Sequence, residues 1–361
     1  MTAGTRAPEP GVEHAEGLET GLEAGEDRDI PQLSVLGDET FDCRKAFAEE
    51  LIALAREDDR IVAVCNDSVG SSNLGAFQAE FPDRLINVGI AEQDLVGVGA
   101  GLANGGMIPF VSAAAPFLTG RALEQIKADV AYSGARVVLC GQSPGMAYGE
   151  LGPTHHSIED LSWLRAIAGL PVVVPADPDQ TRAAVRWAAA APTGSYLRIA
   201  RFKVPSVTPG GSPFEPGRSV QVTDGDDVTV MAIGTMVSRA VEAAHRLRAD
   251  GISVRVLNMT FVSPLDTQAV LRAARETHGI LTAEEATVSG GLGAAVASLV
   301  AQEHPVPMRI LGVPGVFAPT GDAAFLLEHF GLTTEGIIEG VRSLLGAPRG
   351  RDHRGPGRDR S

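Results

Sequence analysis

Short runs of β-branched residues alternate with helical patterns of apolar residues along most of the chain, and this alternation restricts the fold more than any other feature. Before residue 204, strands are predicted at 61–65, 85–88, 108–112, 136–140, 171–174 and 195–198. Helices are predicted at 41–56, 92–104, 119–132, 157–166 and 178–190. Alternation at this spacing favours a mostly parallel sheet that is covered by helices on both faces.

A stretch rich in proline and glycine divides the chain in two. Residues 204–218 contain four prolines and three glycines, so they can continue neither a helix nor a central strand, and they predict a linker. Beyond it, strands are predicted at 228–233, 254–258, 280–284 and 308–312, and helices at 236–249, 265–276, 291–302 and 333–345. We therefore predict an α/β protein of two consecutive domains, 40–203 and 219–346, each a mostly parallel sheet covered by helices.

The net charge of −15 is concentrated near the N-terminus. Residues 1–40 hold ten acidic and two basic side chains, whereas residues 349–361 hold five arginines and two aspartates. Both ends have little to bury, which predicts a disordered acidic tail at 1–39 and a disordered basic tail at 347–361. The acidic tail either binds a partner or keeps the protein soluble, and the sequence leaves both open.

Composition excludes several classes of protein. No run approaches the roughly 20 apolar residues that a membrane span needs, and no basic stretch in the core indicates nucleic-acid binding. The acidic N-terminus has no secretory signal, so we expect a cytoplasmic protein. Cys43, Cys65 and Cys140 lack the spacing of metal ligands and are expected to pack as small hydrophobic residues.

The residues that follow the predicted strands of the first domain include many charged, polar and aromatic side chains. Ligands in open α/β sheets bind beyond the carboxyl ends of the strands, so these residues are the candidates for a site. They are Asp67 and Ser72 after the first strand, Glu92 after the second, Phe117 after the third, His155 and His156 in the long loop after the fourth, and Arg201 after the sixth.

Glu92 is the strongest single candidate. It lies in the stretch Arg84 to Asp94, which is typical of a buried strand that runs directly into a helix. Apolar neighbours would desolvate its carboxyl group and raise its affinity for a proton. An ordinary acidic residue at a helix start is the alternative interpretation.

Four segments resemble the transketolase family, whose members depend on thiamine diphosphate. They are Gly89-Ile-Ala-Glu-Gln93, Thr119-Gly-Arg-Ala122 with Glu124-Gln125, Gly152-Pro-Thr-His-His-Ser-Ile-Glu-Asp160, and Val174-Pro-Ala-Asp177. The resemblance covers roughly residues 40–346. It is closest to the small, separately encoded C-terminal subunit of a split transketolase, in which a pyrimidine-binding domain precedes a C-terminal domain.

The resemblance implies a role for each candidate residue. Glu92 would hydrogen-bond N1′ of the cofactor's aminopyrimidine ring and start the chemistry. Phe117 would lie against that ring, with Asp67 and Arg121 also binding the cofactor. His155 would act near the reacting carbonyl and bind substrate. The other expected substrate-binding residues are His156, Arg201 and Ser72.

The family's diphosphate-binding motif, Gly-Asp-Gly with a distal Asn, is missing from this chain. Only Asp224-Gly-Asp-Asp227 looks similar, and it is predicted at a turn. The resemblance therefore implies a separate N-terminal, diphosphate-binding subunit that also carries Mg²⁺ or Ca²⁺, with no metal ligands on this chain. It implies an α₂β₂ assembly acting on a small sugar or keto substrate, and a chain that is catalytically silent alone.

Three positions depart from the family's sugar pattern. Leu151 replaces an aspartate that contacts a substrate hydroxyl, Ser143 replaces a histidine, and Ala114 replaces a pocket aromatic. A buried polyol would lose hydrogen-bond partners here, so we expect an atypical acceptor that is smaller or less hydroxylated than a pentose phosphate.

Two other interpretations remain open. The chain could be the β-subunit of a 2-oxoacid dehydrogenase or decarboxylase E1 component, which shares this two-domain plan, or a non-catalytic regulatory subunit. A single-chain deoxyxylulose-phosphate synthase is disfavoured by the missing motif. The second domain, in which Glu284-Glu285 is predicted to end a strand, is expected to serve packing and oligomerisation. The glycines at 97–101 and 290–293 predict close helix packing rather than nucleotide loops.

Overall fold

The computed structural model describes residues 39–208 and 210–346. The two predicted disordered tails lie outside the described residues, apart from Glu39. The described chain contains two helix-covered sheets and one small antiparallel pair of strands, β1 (Phe41–Asp42) and β8 (Lys203–Val204). The predicted α/β architecture is confirmed.

The first sheet has seven strands. These are β2 (Ile61–Cys65), β3 (Leu85–Asn87), β4 (Ile108–Ala114), β5 (Val138–Gln142), β6 (Val172–Val173), β7 (Ser195–Ile199) and β12 (Phe261–Ser263). Their order is β12-β6-β7-β5-β4-β2-β3. All neighbours are parallel except β12, which pairs antiparallel with β6. The interior strand β2 is buried at every residue because helices cover both faces.

Seven α-helices accompany the first domain within the described part of the chain. These are α1 (Cys43–Glu57), α2 (Gly75–Glu80), α3 (Glu92–Asn104), α4 (Ala115–Arg121), α5 (Leu123–Gln125), α6 (Asp160–Arg165) and α7 (Pro178–Ala190). Helix α7 begins where the side chain of Asp177 accepts a hydrogen bond from the backbone of Gln180, with Pro178 in the first turn. That capping arrangement explains why the helix starts there.

The second sheet has five strands in the order β14-β13-β10-β11-β9. They are β9 (Val220–Thr223), β10 (Val228–Ala232), β11 (Val254–Asn258), β13 (Ile280–Thr287) and β14 (Met308–Val313). Only β9 runs antiparallel to its neighbour. The helices are α8 (Met236–Ala249), α9 (Thr267–Glu276), α10 (Leu292–Glu303), α11 (Ala323–His329) and α12 (Thr334–Leu345).

Strand β12 joins the two domains. It lies beyond the predicted linker in sequence, yet it extends the first sheet through Phe261 and Ser263, which pair with Val173 and Val172. The apolar side chain of Phe261 is buried with Trp187 and Phe214, and the ring centroids of Trp187 and Phe261 are 5.2 Å apart. The second domain therefore completes the core of the first.

Three predicted elements differ from the structure. The strand at 85–88 is not buried, because β3 lies at the edge of the sheet and its three residues are partly or fully exposed. The helix at 119–132 begins earlier, as α4, breaks at Ala122 and ends in a π-helix from Ile126 to Tyr132. The helix predicted at 157–166 is shortened to α6, because Ser157 pairs with Gly145 in a β-bridge instead.

Packing settles two smaller expectations. All three cysteines are free and buried. A Cβ on Gly99 would lie 2.5 Å from Val111, and one on Gly293 would overlap Ile310, so both glycines allow close helix packing as predicted. Gly97, by contrast, meets no atom within 4 Å. None of the helices among the described residues is long and apolar enough to cross a bilayer.

Candidate active site

The parallel strands of the first sheet bring the predicted site residues to one edge. Asn66 follows β2, Glu92 is the first residue of α3, and Phe117 and Arg121 lie in α4 after β4. The loop of residues 143–157 follows β5, and Arg201 follows β7. This is the carboxyl edge, where open α/β sheets bind their ligands.

Glu92 is held at the junction of β3 and α3 with only 3% of its surface exposed. Gly89, at φ +74°, turns the chain from the strand toward the helix, a conformation that favours glycine. The Asn66 amide donates to Oε1 of Glu92 at 3.1 Å, and Nη1 of Arg121 donates to Oε2 at 2.9 Å. Both carboxylate oxygens thus have a side-chain donor.

The expectation that Glu92 has a raised proton affinity is wrong for this structure. Burial by itself raises its pKa, but the hydrogen bonds from Arg121, the helix backbone and Asn66 outweigh burial, so the pKa lies below its ordinary value. The positive charge of Arg121 stabilises the carboxylate. Arg121 makes the largest of these lowering contributions.

A row of side-chain contacts begins at Glu92 and passes through Arg121 and Phe117 to His155. The guanidinium carbon of Arg121 lies 4.2 Å from the centroid of the Phe117 ring, which is a cation–π contact. The ring of His155 meets Phe117 edge-on, with centroids 5.1 Å apart and an interplanar angle of 79°. Half of the Arg121 side chain is exposed, so solvent reaches this row.

The row ends at Tyr148 and Arg201. The rings of Tyr148 and His155 have centroids 6.4 Å apart, and the guanidinium carbon of Arg201 lies 5.0 Å from the Tyr148 centroid. We call the residues from Glu92 through Arg121, Phe117, His155 and Tyr148 to Arg201 the contact row. It brings together a buried carboxylate, three rings and two guanidiniums.

Three predicted site residues lie outside the contact row. His156 is buried, and its Nε2 faces the carbonyl of Gly149 at 3.4 Å, while burial lowers its pKa and favours the neutral ring. Ser72 is buried within a turn, where its hydroxyl lies 3.3 Å from that of Ser68. Asp67 is exposed. Their binding roles stay predictions.

Asn66 and Tyr148 were missed by the sequence reasoning. Asn66 is the first residue after β2, and Asp67 is the second. It is the side chain of Asn66, and not that of the predicted Asp67, that reaches Glu92. Tyr148 is one of only three tyrosines in the chain and lies in the long loop already recognised as functional. Its rarity and position were the available signals.

The departures from the family's sugar pattern differ in their surroundings. Leu151 is 56% exposed on the loop that carries His155, where an apolar side chain offers no hydrogen bond. Ser143 is fully buried at φ +53°, and its hydroxyl has no partner among the described residues. Ala114 is partly buried at the end of β4.

A buried ionic network joins the two domains behind the contact row. Arg198 donates to Asp160 through Nε at 2.8 Å and through Nη2 at 3.2 Å, and the hydroxyl of Tyr196 donates to Asp160 at 2.8 Å. Arg198 also reaches the backbone carbonyl of Glu285 in the second domain, at 3.0 Å. Each of these four residues is at least nine-tenths buried.

Glu284 has no contact with the contact row and holds the start of α10. Its carboxylate accepts hydrogen bonds from the backbone of Leu292 and Gly293, both at 2.7 Å. A Cβ on Gly291 would overlap this carboxylate. Burial raises the pKa of Glu284 to about 7, against the lowering effect of the two backbone N–H groups. This explains the second glycine-rich stretch as a packing feature.

Glu284 should make the stability of the protein depend on pH. Its pKa in the folded state is about 7, above its ordinary value of 4.5, so ionisation between these values opposes folding. The free energy of unfolding should fall by on the order of 3 kcal/mol as the pH rises from 4.5 to 8. The variant Glu284→Gln should lack this component. Urea unfolding of both proteins at several pH values measures the difference, and identical pH profiles would contradict the prediction.

No group of three or more His, Cys, Asp or Glu side chains that could hold a metal ion occurs within residues 39–208 and 210–346. The contact row itself contains one carboxylate and one imidazole. A site for a cation with oxygen ligands needs more donors than this.

Comparison with protein families places both domains. Residues 39–206 match the transketolase pyrimidine-binding domain, and residues 217–337 match the transketolase C-terminal domain. This chain belongs to the transketolase family. The expected family and the expected two-domain architecture are thereby confirmed.

Curated relatives include separate transketolase subunits of similar length. An apulose-4-phosphate transketolase subunit of Phocaeicola vulgatus is 44% identical over 82% of this chain and 95% of its own. The 6-deoxy-6-sulfo-D-fructose transketolase subunit SqwH of a Clostridium species is 38% identical over 83% of this chain and 94% of its own. The prediction of a split-transketolase subunit is confirmed.

Solved structures show the same organisation. A split gene transketolase, described as an inactive beta4 tetramer, superposes with a TM-score of 0.78 at 39% identity, covering 84% of this chain and 98% of its own. A transketolase from Pichia stipitis superposes with a TM-score of 0.72 at 22% identity and shares the fold. This chain matches 47% of that longer protein.

Proposed function

We propose that this chain is the pyrimidine-binding subunit of a thiamine diphosphate-dependent split transketolase. With a separate diphosphate-binding subunit, it transfers a two-carbon ketol unit from a ketose-type donor to an aldehyde acceptor in the cytoplasm. The contact row carries this proposal, because it aligns a buried carboxylate, a flat aromatic surface and a titratable histidine at the carboxyl edge of the sheet.

The residues of the contact row fit an aminopyrimidine ring. The guanidinium of Arg121 is planar, carries N–H donors, bonds to Glu92 and lies on Phe117. An aminopyrimidine ring is also planar and also forms hydrogen bonds at its edge. Because the side chain of Arg121 is half exposed, it can leave this position without unpacking the core. We infer that Arg121 occupies the place of the ring.

When bound, thiamine diphosphate would supply a nucleophilic carbon for addition to the donor carbonyl and an electron sink for the electron pair left when the adjacent C–C bond of the donor breaks. Glu92 contributes proton control. When Arg121 leaves, Glu92 loses its counter-charge, so its pKa rises from the lowered value that it has beside Arg121 and the carboxyl group can hold a proton at N1′ of the pyrimidine ring. Asn66 keeps the carboxyl group in place through its bond to Oε1.

Phe117 and His155 act next to Glu92. Phe117 offers a flat surface against which an aromatic ring stacks, which contributes about 1 kcal/mol beyond the burial of area. His155 is partly exposed, its Nδ1 lies 3.0 Å from the Thr154 hydroxyl, and it is the imidazole of the row. A histidine suits proton transfer to and from substrate hydroxyls near neutral pH.

Arg201 and the loop around Leu151 set the choice of substrate. Arg201 lies at the far end of the contact row from Glu92 and offers a guanidinium to an anionic group on the substrate. One relative described above is named for a sugar phosphate and the other for a sulfo sugar. An anionic sugar derivative is therefore the substrate that we propose for Arg201. Because Leu151 is apolar and the Ser143 hydroxyl is fully buried, we propose an acceptor less hydroxylated than a pentose phosphate.

The partner subunit would complete the site. We propose that it binds the diphosphate with Mg²⁺ or Ca²⁺ and that the assembly is α₂β₂. The missing diphosphate motif supports this arrangement, as does the split gene transketolase, whose beta4 tetramer is described as inactive. The chain alone should then be silent.

Reconstitution tests the proposed function directly. Ketol transfer should require both this chain and a partner with the Gly-Asp-Gly motif, and it should be undetectable with either subunit alone. Among anionic acceptors, ribose 5-phosphate should react more slowly than less hydroxylated aldehydes, because Leu151 offers its hydroxyls no hydrogen bond and the Ser143 hydroxyl is fully buried. A coupled assay of ketose consumption measures both effects.

Three results would count against this proposal. Turnover by the chain alone would overturn the requirement for a partner. Release of CO₂ from pyruvate by the pair, without ketol transfer, would favour a 2-oxoacid decarboxylase instead. Ribose 5-phosphate at full transketolase rates would refute the atypical acceptor while leaving the subunit assignment intact.

A further inference from the structure

The loop that carries His155 is closed at its base. Gly145 and Ser157 form an antiparallel β-bridge, in which the Gly145 N–H donates to Ser157 at 2.9 Å and the Ser157 N–H donates to Gly145 at 2.7 Å. Tyr148 and His155 lie within the closed loop. Contacts that hold Gly145 and Ser157 in place therefore also determine the position of His155.

Glu285, from the second domain, contacts the first end of the loop. Its Oε1 accepts a hydrogen bond from the backbone N–H of Met146 at 2.8 Å, although the two residues are 139 positions apart. Its Oε2 accepts a hydrogen bond from the Thr235 hydroxyl at 3.0 Å. The side chain is 4% exposed, so water does not compete for these bonds.

The backbone of Glu285 is linked to the other end of the loop through Arg198. One nitrogen of Arg198, Nη2, donates to the carbonyl of Ser157 at 3.1 Å and to the carbonyl of Glu285 at 3.0 Å. The paired Asp160 holds this guanidinium in place. Both ends of the loop base are thus attached to one residue of the second domain.

The absence of a side chain at Gly145 leaves the space that the Glu285 carboxylate occupies. Its φ of +65° is in the left-handed region, and a Cβ there would overlap Oε1 of Glu285. The carboxylate therefore fills the space that a side chain at position 145 would need. The tip of the loop also contacts the second domain, because Gly321 donates its N–H to the carbonyl of Gly149 at 3.2 Å.

We propose that Glu285 is a positioning residue for the reaction: it fixes the loop of residues 143–157 and thereby the placement of His155. The second domain then has a role in catalysis beyond the expected packing and oligomerisation. This inference rests on the proposed function for the role of His155, but the loop contact itself does not.

Kinetics of the reconstituted enzyme tests the proposed role. Glu285→Ala should lower kcat about 100-fold, the loss expected from a displacement of about 1 Å at a reacting group, with a smaller change in KM. Glu285→Gln should retain most of the turnover, because its amide oxygen still accepts from Met146. Glu284→Gln is the matched control, since Glu284 is equally buried next to Glu285 but accepts its hydrogen bonds from the start of α10 and not from the loop, and its kcat should be unchanged.

Hydrogen exchange of the full chain tests the loop contact without any assay of activity. Amides of residues 146–157 should exchange about tenfold faster or more in Glu285→Ala, the factor implied by a lost hydrogen bond to a charged group. Gly145→Ala should have the same effect from the loop side. Gly169→Ala is its control, because Gly169 has a similar φ of +75° with no atom within 4 Å of a Cβ.

Each outcome decides the proposal. Unchanged kcat in Glu285→Ala, or an equal loss in Glu284→Gln, would overturn the positioning role. If Glu285→Ala fails to fold, Gly145→Ala and its control Gly169→Ala decide instead. Slower turnover and faster loop exchange in Gly145→Ala alone would support the positioning role. Their absence in Gly145→Ala would overturn it. If the wild-type pair transfers no ketol unit, the proposed function fails, while the exchange data still decide the loop contact.

Discussion

Replacing Glu92 by Gln should lower the turnover of the reconstituted enzyme by about 10²- to 10⁴-fold, the range typical of a lost proton-transfer group. Glutamine keeps the size of the side chain and an oxygen that accepts from Asn66, so the junction of β3 and α3 should remain intact. It cannot hold and release a proton. Measured kcat of wild-type and variant assemblies gives the effect.

The matched control is Asp179→Asn. Asp179 is also an acidic residue in the first turn of a helix, α7, but it is exposed and takes no part in the contact row. If Glu92 merely stabilised its helix, the two variants should behave alike. A Glu92→Gln assembly with full turnover would favour the non-catalytic interpretation of the chain.

The local parts of the fold could be predicted because each depends on neighbours in sequence. Fully buried parallel strands appear as β-branched runs, so Ile61–Cys65 and Val254–Asn258 were predicted with the bounds that the structure has. Helices Glu92–Asn104, Pro178–Ala190 and Met236–Ala249 were likewise predicted with their observed bounds. The edge position of β3 depends on the order of strands, which no local pattern contains.

The candidate site was predictable as a set of residues but not as a set of contacts. Parallel strands place their carboxyl ends at one edge, so Glu92, Phe117 and His155 were expected to lie near each other. The pairing of Glu92 with Arg121 reverses the expected direction of the pKa shift. That pairing depends on the orientation of two side chains, which the sequence does not specify.

Contacts between the domains were the least predictable. Strand β12 joins a sheet formed almost wholly by residues before the linker, and Glu285 reaches Met146 across 139 positions. A buried Glu285 carboxylate is costly without partners, but its partners follow from how the two domains pack. The sequence therefore indicated a strand ending at Glu284-Glu285, whereas the structure continues β13 to Thr287.

The variant Arg198→Met should lower the free energy of unfolding by about 3–5 kcal/mol, the cost of leaving one partner of a buried ion pair without the other. Asp160 would be left without its counter-charge at 0% exposure, with only the Tyr196 hydroxyl as a side-chain donor. Adding Asp160→Asn to Arg198→Met should recover part of this loss, because the uncompensated charge is gone. Urea unfolding of the full chain measures all three proteins.

Arg342→Met provides the comparison that separates burial from pairing itself. Arg342 and Asp250 form an ion pair at 2.6 Å, but their side chains are 56% and 53% exposed. Water replaces the lost partner there, so the expected cost is below about 1 kcal/mol. Equal losses in Arg342→Met and Arg198→Met would mean that the interdomain network contributes no more than a surface pair. A large difference would show that burial of the Arg198–Asp160 pair, and not ion pairing itself, sets the cost of removing one partner.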